Sequence, residues 1–482
     1  MQQYFHDGAE TVAADSAIGH TSLQGPLVRI PPPGPGSRAL LSRQATRESR
    51  ARSYPRRLPI AIRRGEGSLV EDEDGNVFID FLTGAGAIAL GHAHPELVET
   101  VWHQATQLTH ALDFPTRAKD EFISALFGIL PAGLAETTRI LCCGPTGVNA
   151  VEAAIKLCKK ATGRGEILAF HGGFHGMSHA GMAVSADPSP RAEIANTMPG
   201  VHFFPFSYCY RCPLGLSPDT CETNCVRYLE QTLSDTHRGT TKPAAVLLEL
   251  IQGEGGTIPA TVDFVRRVRK VTSDLDIPLI VDEIQTGCGR TGQWFGFEHY
   301  DIRPDVVVLS KMLSGIGIPI SVVLYDERLD QLEPGGHTGT FRGNQLAFAA
   351  ATTFIEVMQR DNVLDNVRAR GRQAREHLER VCSGRAEFVA DVRAAGLMIG
   401  IEFARRANRT PWPEITAAVQ AEALRRGLIL EIGGRRSSVV RMLPPLNISS
   451  DTMATALAIF DAALDAAIHT TADPRQPTAW RP

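Results

Sequence analysis

The chain has 482 residues, 43% of them hydrophobic and 21% charged, with a formal net charge of −4. This is the composition of an ordinary globular protein with material for more than one domain, and the charge offers no field for nucleic acid or another polyanion. No apolar run approaches the roughly 20 residues of a membrane helix, the polar start MQQYFHDGAE lacks a signal-peptide core, and nine cysteines fit a reducing cytoplasm better than a disulfide scaffold.

Residues 1–44 lack sustained periodicity and contain PPPGPG, which predicts a flexible arm or a segment draped over a partner. From Ser37 to Arg64 there are nine arginines and one glutamate, read as a solvated or subunit-contacting face. Residues 45–90 are expected to pack with a small C-terminal domain, and Asp74-Gly75 between two alternating apolar runs predicts a hairpin there. Over residues 91–345, helical patterns such as DEFISALFGIL and VNAVEAAIKLCKKA alternate with the apolar runs TRILCC, AAVLLELI, IPLIVDE and DVVVLSK. Runs that are apolar throughout and separated by helices predict a mainly parallel sheet covered on both faces, the core of a large α/β domain. Residues 346–482, with GLMIGIEFA, GLILEI and SVVRMLPPL among helical segments, predict a smaller α+β domain.

In open α/β sheets ligands sit at the carboxyl ends of the strands. One such end runs through Gly144, Pro145, Thr146 and Gly147 into a helix, whose free amides and dipole make an anion cradle. A second places Asp282 where IPLIVDE leaves the sheet, a carboxylate that needs a cation. The third places Lys311 after DVVVLS. The chain has seven lysines against 42 arginines, and only Lys311 follows a buried strand, where desolvation lowers an amine's pKa and makes it nucleophilic. Arginine cannot lose its proton to form an imine, so this position could not follow the chain's preference for arginine. Anion cradle, buried carboxylate and desolvated amine are the three parts a pyridoxal phosphate site needs.

With these parts in order, the stretch VDEIQTGCGRTGQWFGFEHYDIRPDVVVLSK resembles the signature of the class III (omega) aminotransferases, which have the fold type I pyridoxal phosphate architecture. DEDGNVFIDFLTG, LGHAHP, FHGGFHGM, LELIQGEGG, GTFRGNQLA and VRMLPPL fall in that family's order around it, so that the likeness spans about residues 54–450. The resemblance implies a seven-stranded, mainly parallel sheet in the large domain. Lys311 would be the Schiff-base lysine and acid/base catalyst, with Asp282 on the ring nitrogen. Gln285 would contact the ring hydroxyl, Phe174 would stack on the ring beside His175, and Thr146, Gly147 and Val148 would hold the phosphate. Thr340 would reach the phosphate of a neighbouring subunit, implying a homodimer or dimer of dimers with shared sites. Arg441, screened by Glu254, would bind substrate carboxylates, which makes 2-oxoglutarate and glutamate the natural second pair.

Relatives that grip a distal carboxylate carry Arg after FHG, where this chain has Met177. With CGPTG and HTGTFRGNQLA, that places it closest to the diaminobutyrate:2-oxoglutarate branch, acting on the 4-amino group of L-2,4-diaminobutyrate. Alternatives are another omega-amine (4-aminobutyrate, ornithine or a specialised diamine), an aminomutase or decarboxylase on the same cofactor, or a non-catalytic scaffold; the last would be expected to have lost Lys311 or Asp282. Asn149 and Arg342 depart from residues common in the family, Glu and Gly respectively. Finally, Cys209, Cys212, Cys221 and Cys225 have a C-x2-C-x8-C-x3-C spacing open to a structural metal knot or to an ordinary loop with semi-buried thiols.

Overall fold

The computed structural model describes residues 22–194, 196–405 and 408–472. The first 21 residues of the expected arm lie outside the described residues. From Ser22 on, the arm is tied down: Leu27 and Val77 exchange backbone hydrogen bonds of 2.8 and 2.9 Å, and Asp74 accepts from the amides of Gly36 and Ser37 at the start of a helix, Pro35–Arg47.

The strands β1 (Ile62–Glu66), β2 (Leu69–Asp72) and β3 (Val77–Asp80) form an antiparallel sheet. Gly75 at φ 77° makes the predicted turn, a conformation open to glycine at no steric cost. The main sheet comprises β4 (Thr138–Cys142), β5 (Ile167–Phe170), β6 (Val201–Phe204) and β7 (Ala245–Leu248). A two-stranded hairpin of β8 (Ile251–Gln252) and β9 (Ile258–Pro259) follows, and then β10 (Leu279–Asp282), β11 (Val306–Leu309) and β12 (Val322–Asp326) complete the sheet. Its order is β4-β12-β11-β10-β7-β5-β6. Only β12 runs antiparallel to its neighbours, and the other pairings are parallel.

The C-terminal part adds β13 (Val389–Ala395), β14 (Met398–Arg405), β15 (Thr410–Pro411), β16 (Leu428–Ile429), β17 (Glu431–Gly433) and β18 (Val439–Met442). They form an antiparallel sheet β13-β14-β18-β17 with β15 on β14, while β16 pairs with β3 and so joins the N-terminal segment to this part of the chain.

β5, β7, β10 and β11 are buried along their whole length, which is why they lack polar alternation. The helix Gly147–Thr162 covers one face of the sheet through Val151, Ile155 and Cys158.

One sequence expectation is corrected. The last helix, Ser450–Ala472, is long and apolar enough over Ser450–Thr471 to cross a membrane by length and composition. Its apolarity comes from alanines, and Met453, Leu457, Phe460 and Leu464 are buried in the protein's own core, so the length criterion is met by a core helix.

Candidate active site

Lys311 stands two residues beyond the end of β11, after Ser310, in the left-handed region at φ 45°. A lysine there carries a strain of order 1 kcal/mol that the surrounding fold must hold. Burial lowers its pKa and Arg441 lowers it further, against Glu254, Glu431 and Asp282, whose charges also reach the amine. The result is an amine that gives up its proton more readily than a surface lysine.

Asp282 ends β10 and is 4% exposed. Its Oδ2 lies 2.7 Å from Nδ1 of His175, and its Oδ1 accepts from the amide of Ile284 at 3.0 Å. Burial works to lower the pKa of His175, but the hydrogen bond and charge of Asp282 outweigh it and raise the value. A carboxylate fixed at both oxygens and set at a strand end is suited to holding a proton on a ring nitrogen.

His175 belongs to the loop after β5, which also presents Phe174, 37% exposed. Glu249, after β7, accepts from the amide of Phe174 at 2.8 Å and from that of Gly253 at 3.0 Å, and so joins the ring-bearing loop to the β8–β9 hairpin. Burial, opposed by the charge of His175, pushes Glu249 up to about 7.

Beyond the end of β4, Thr146 caps the helix Gly147–Thr162. The departure at Asn149 is explained here: its Oδ1 accepts from the Thr146 amide at 3.1 Å and from the Thr146 hydroxyl at 2.9 Å. Asn149 therefore closes the cap from its third position, a task that also suits a glutamate. The amides of Gly147 and Val148 lie in the first turn and have no partner within the helix, the arrangement that receives a phosphate.

Arg441, on β18, is fully buried and three-sided in its contacts. It donates to Oε1 of Glu254 at 2.8 Å and to Oε1 of Gln285 at 2.7 Å, and lies 3.0 Å from Oε2 of Glu431. Burial alone would raise Glu254, but Arg441 outweighs it and leaves that carboxylate below its usual range. Glu431 is raised, because burial there exceeds the help of Arg441. Tyr54 donates to Oε1 of Glu431 at 3.2 Å.

The structure thus gathers Lys311, Asp282, His175, Phe174, Gln285, Glu254 and Arg441 around one strand-end space. Thr340 is exposed on another loop, its carbonyl 2.8 Å from Nε2 of His110. Arg342 pairs with Asp113 across the same loop. Met177 is 54% exposed and offers no charge.

Among the described residues no group of three or more His, Cys, Asp or Glu is placed to hold a metal ion, and all nine cysteines are unpaired. The segment that carries Cys209, Cys212, Cys221 and Cys225 is anchored by ionic contacts, with Tyr208 and Arg211 both donating to the buried Glu402.

Sequence reasoning assigned no role to Glu249, Glu431 or Tyr54. Glu249 lies inside the quoted motif LELIQGEGG, the one local signal available. Glu431 owes its place to the β17–β18 register, which sets it directly opposite Arg441.

A group with a phosphate, a protonatable ring nitrogen and an aldehyde fits this donor set, with the first-turn amides for the phosphate, Asp282 for the nitrogen, Lys311 for the aldehyde and the Phe174 ring for stacking. Comparison with known proteins agrees. The family model for aminotransferase class-III matches residues 50–464. A diaminobutyrate-2-oxoglutarate aminotransferase of Rhizobium meliloti (strain 1021) is 47% identical over 418 residues, 85% of this chain and 88% of the relative. One from Haemophilus influenzae (strain ATCC 51907 / DSM 11121 / KW20 / Rd) is 41% identical over 85% of this chain and 91% of its own length. Among solved structures, the ornithine aminotransferase of Toxoplasma gondii, described with partial occupancy of PLP at its active site, superposes with a TM-score of 0.76 at 25% identity over 90% of this chain and 96% of that one. With Lys311 and Asp282 both inside the matched residues, this chain belongs to the class-III aminotransferase family.

Proposed function

We propose that the protein transfers the 4-amino group of L-2,4-diaminobutyrate to 2-oxoglutarate, giving glutamate and aspartate semialdehyde. The observation that carries this is the Arg441–Glu254 pair beside the half-buried Lys311, in a chain several of whose relatives at 34–47% identity bear that activity in their names.

Pyridoxal phosphate, held as above, supplies an aldehyde that links to amines and a ring that accepts electrons from the carbon losing its proton. The chain does the rest. Lys311 Nζ would hold the cofactor's aldehyde and, as a free amine, would take the proton from the donor carbon that bears the amino group. Asp282, oriented by His175, keeps the ring nitrogen protonated. Glu254 covers Arg441 while a donor without a neighbouring carboxylate occupies the site. It yields when glutamate or 2-oxoglutarate brings a carboxylate that pairs with the guanidinium in its place.

The working unit in this proposal is a dimer. Thr340 lies beside Phe341, which is 69% exposed, and Phe114 and Trp102 are 68% and 62% exposed. A monomer has no use for such aromatic exposure, and a second copy would bury it while bringing Thr340 to the partner's phosphate. The nine unpaired cysteines support the reading of a reducing cytoplasm as its compartment.

The test is glutamate formation from 2-oxoglutarate with L-2,4-diaminobutyrate, 4-aminobutyrate or ornithine as donor, with the carbon product identified by mass and the protein's own mass measured by sedimentation. Diaminobutyrate is expected to be the best donor, yielding the semialdehyde, from a particle of twice the chain mass. A faster reaction with another donor, or a 2-oxo acid from diaminobutyrate, would overturn the substrate assignment.

A further inference from the structure

The charges around Arg441 do not balance. One guanidinium faces two carboxylates, Glu254 and Glu431, both in contact with Nη1. Glu254 is the movable partner, at the turn of the β8–β9 hairpin with its side chain 35% exposed. Glu431 is fixed: it sits on β17 directly across the antiparallel register from Arg441 and is 5% exposed. Its Oε2 touches Arg441 without a well-formed hydrogen bond, and its Oε1 has only the Tyr54 hydroxyl at 3.2 Å. An ionised carboxylate accepts about four hydrogen bonds, so Glu431 has capacity to spare. A carboxylate taken out of water without a full counter-charge is costly, so a purely structural fold would gain by replacing it.

Position says what would complete it. Tyr54 is 47% exposed, so Glu431 lies between the buried Arg441 and the surface, and its charge reaches the Lys311 amine from that side. A donor whose terminal amine meets Lys311 extends its far end toward the same mouth.

We propose that Glu431, oriented by Tyr54, is a specificity residue that binds the distal α-ammonium of a diamino acid donor. The inference rests on the proposed function and deepens it. 4-Aminobutyrate has the chain length and terminal carboxylate of 2,4-diaminobutyrate and lacks only the α-amino group. Preference between the two donors therefore isolates the group that Glu431 recognises, and a charge-assisted contact of this kind is worth roughly 10- to 100-fold in affinity.

The experiment compares wild-type holoenzyme with Glu431→Gln and Glu431→Asp, using diaminobutyrate, 4-aminobutyrate and glutamate. Dissociation constants for the two donors are also measured calorimetrically in the Lys311→Ala background with and without Glu431→Gln. Glu431→Gln is expected to lower kcat/KM for diaminobutyrate roughly 10- to 100-fold, mainly through KM. The fall for 4-aminobutyrate should be smaller by about tenfold or more, with Glu431→Asp between and the binding constants following; glutamate, whose carboxylate meets Arg441, gauges any change at the guanidinium itself. An equal fall for all three substrates would make Glu431 a structural counter-ion of Arg441 and overturn the inference. So would no change for any of them. Wild-type enzyme that does not use diaminobutyrate would sink the proposed function itself, and this inference with it.

Discussion

Lys311 and Glu249 show how far single residues can be understood from their neighbours. The placement of Lys311 beyond a buried strand was legible because a rare residue type sat at the end of an apolar run. Glu249 was not, since nothing in its own segment tells that it will bind the amides of Phe174 and Gly253, one of them 75 residues away. Its burial has a measurable consequence. The carboxyl moves from an ordinary 4.5 to about 7, so the folded protein holds this proton more tightly than the unfolded chain. The contribution to stability is complete below about pH 4.5 and is lost as pH rises through about 7. Glu249→Gln has no proton to lose. Its deficit against the wild type in chemical denaturation should therefore shrink between about pH 5 and pH 8, by on the order of 1–3 kcal/mol. A deficit independent of pH would show that Glu249 titrates normally in the fold. Glu431 and Tyr54 were hidden for the same reason as Glu249, being joined across 377 residues by a contact that only the folded chain creates.

At the level of elements, the four strand runs that bear on the site were legible: burial on both faces leaves β7, β10 and β11 apolar, and β4 reads as a strand from ILC although most of it is only half-buried. β5, β6 and β12 were not picked out. β6, with the sequence VHFF, has intermediate burial at three of four positions, so its pattern is mixed. β12, VVLYD, turns against the direction of the sheet, which no local signal announces. The β8–β9 hairpin was legible only as a motif, yet its packing is tight. A Cβ on Gly253 would stand 2.1 Å from Oε1 of Gln285, the oxygen that accepts from Arg441. Gly253→Ala should therefore displace Gln285 and loosen Arg441. Steady-state kinetics should show KM for 2-oxoglutarate raised about tenfold, with the far-ultraviolet dichroism unchanged. An unaltered KM would mean that Gln285 does not position the guanidinium.

Across the whole molecule, the N-terminal segment, the large sheet and the C-terminal sheet each supply part of the site. Tyr54 comes from the first, Lys311 and Asp282 from the second, and Glu431 and Arg441 from the third. The pairing of β3 with β16 fixes the first to the third, and the β8–β9 turn, through Glu254, links the third to the second. Composition misjudged the last helix, because alanine-rich core helices and membrane helices share length and hydropathy. All of these parts converge on one amine, so the central claim is tested most directly by reducing the purified, cofactor-loaded protein with borohydride and mapping the modified peptide by mass. The account predicts the phosphopyridoxyl group on the peptide carrying Lys311, and none on that peptide in Lys311→Ala. A label on Lys156, Lys159 or Lys160, or no covalent label at all, would contradict it.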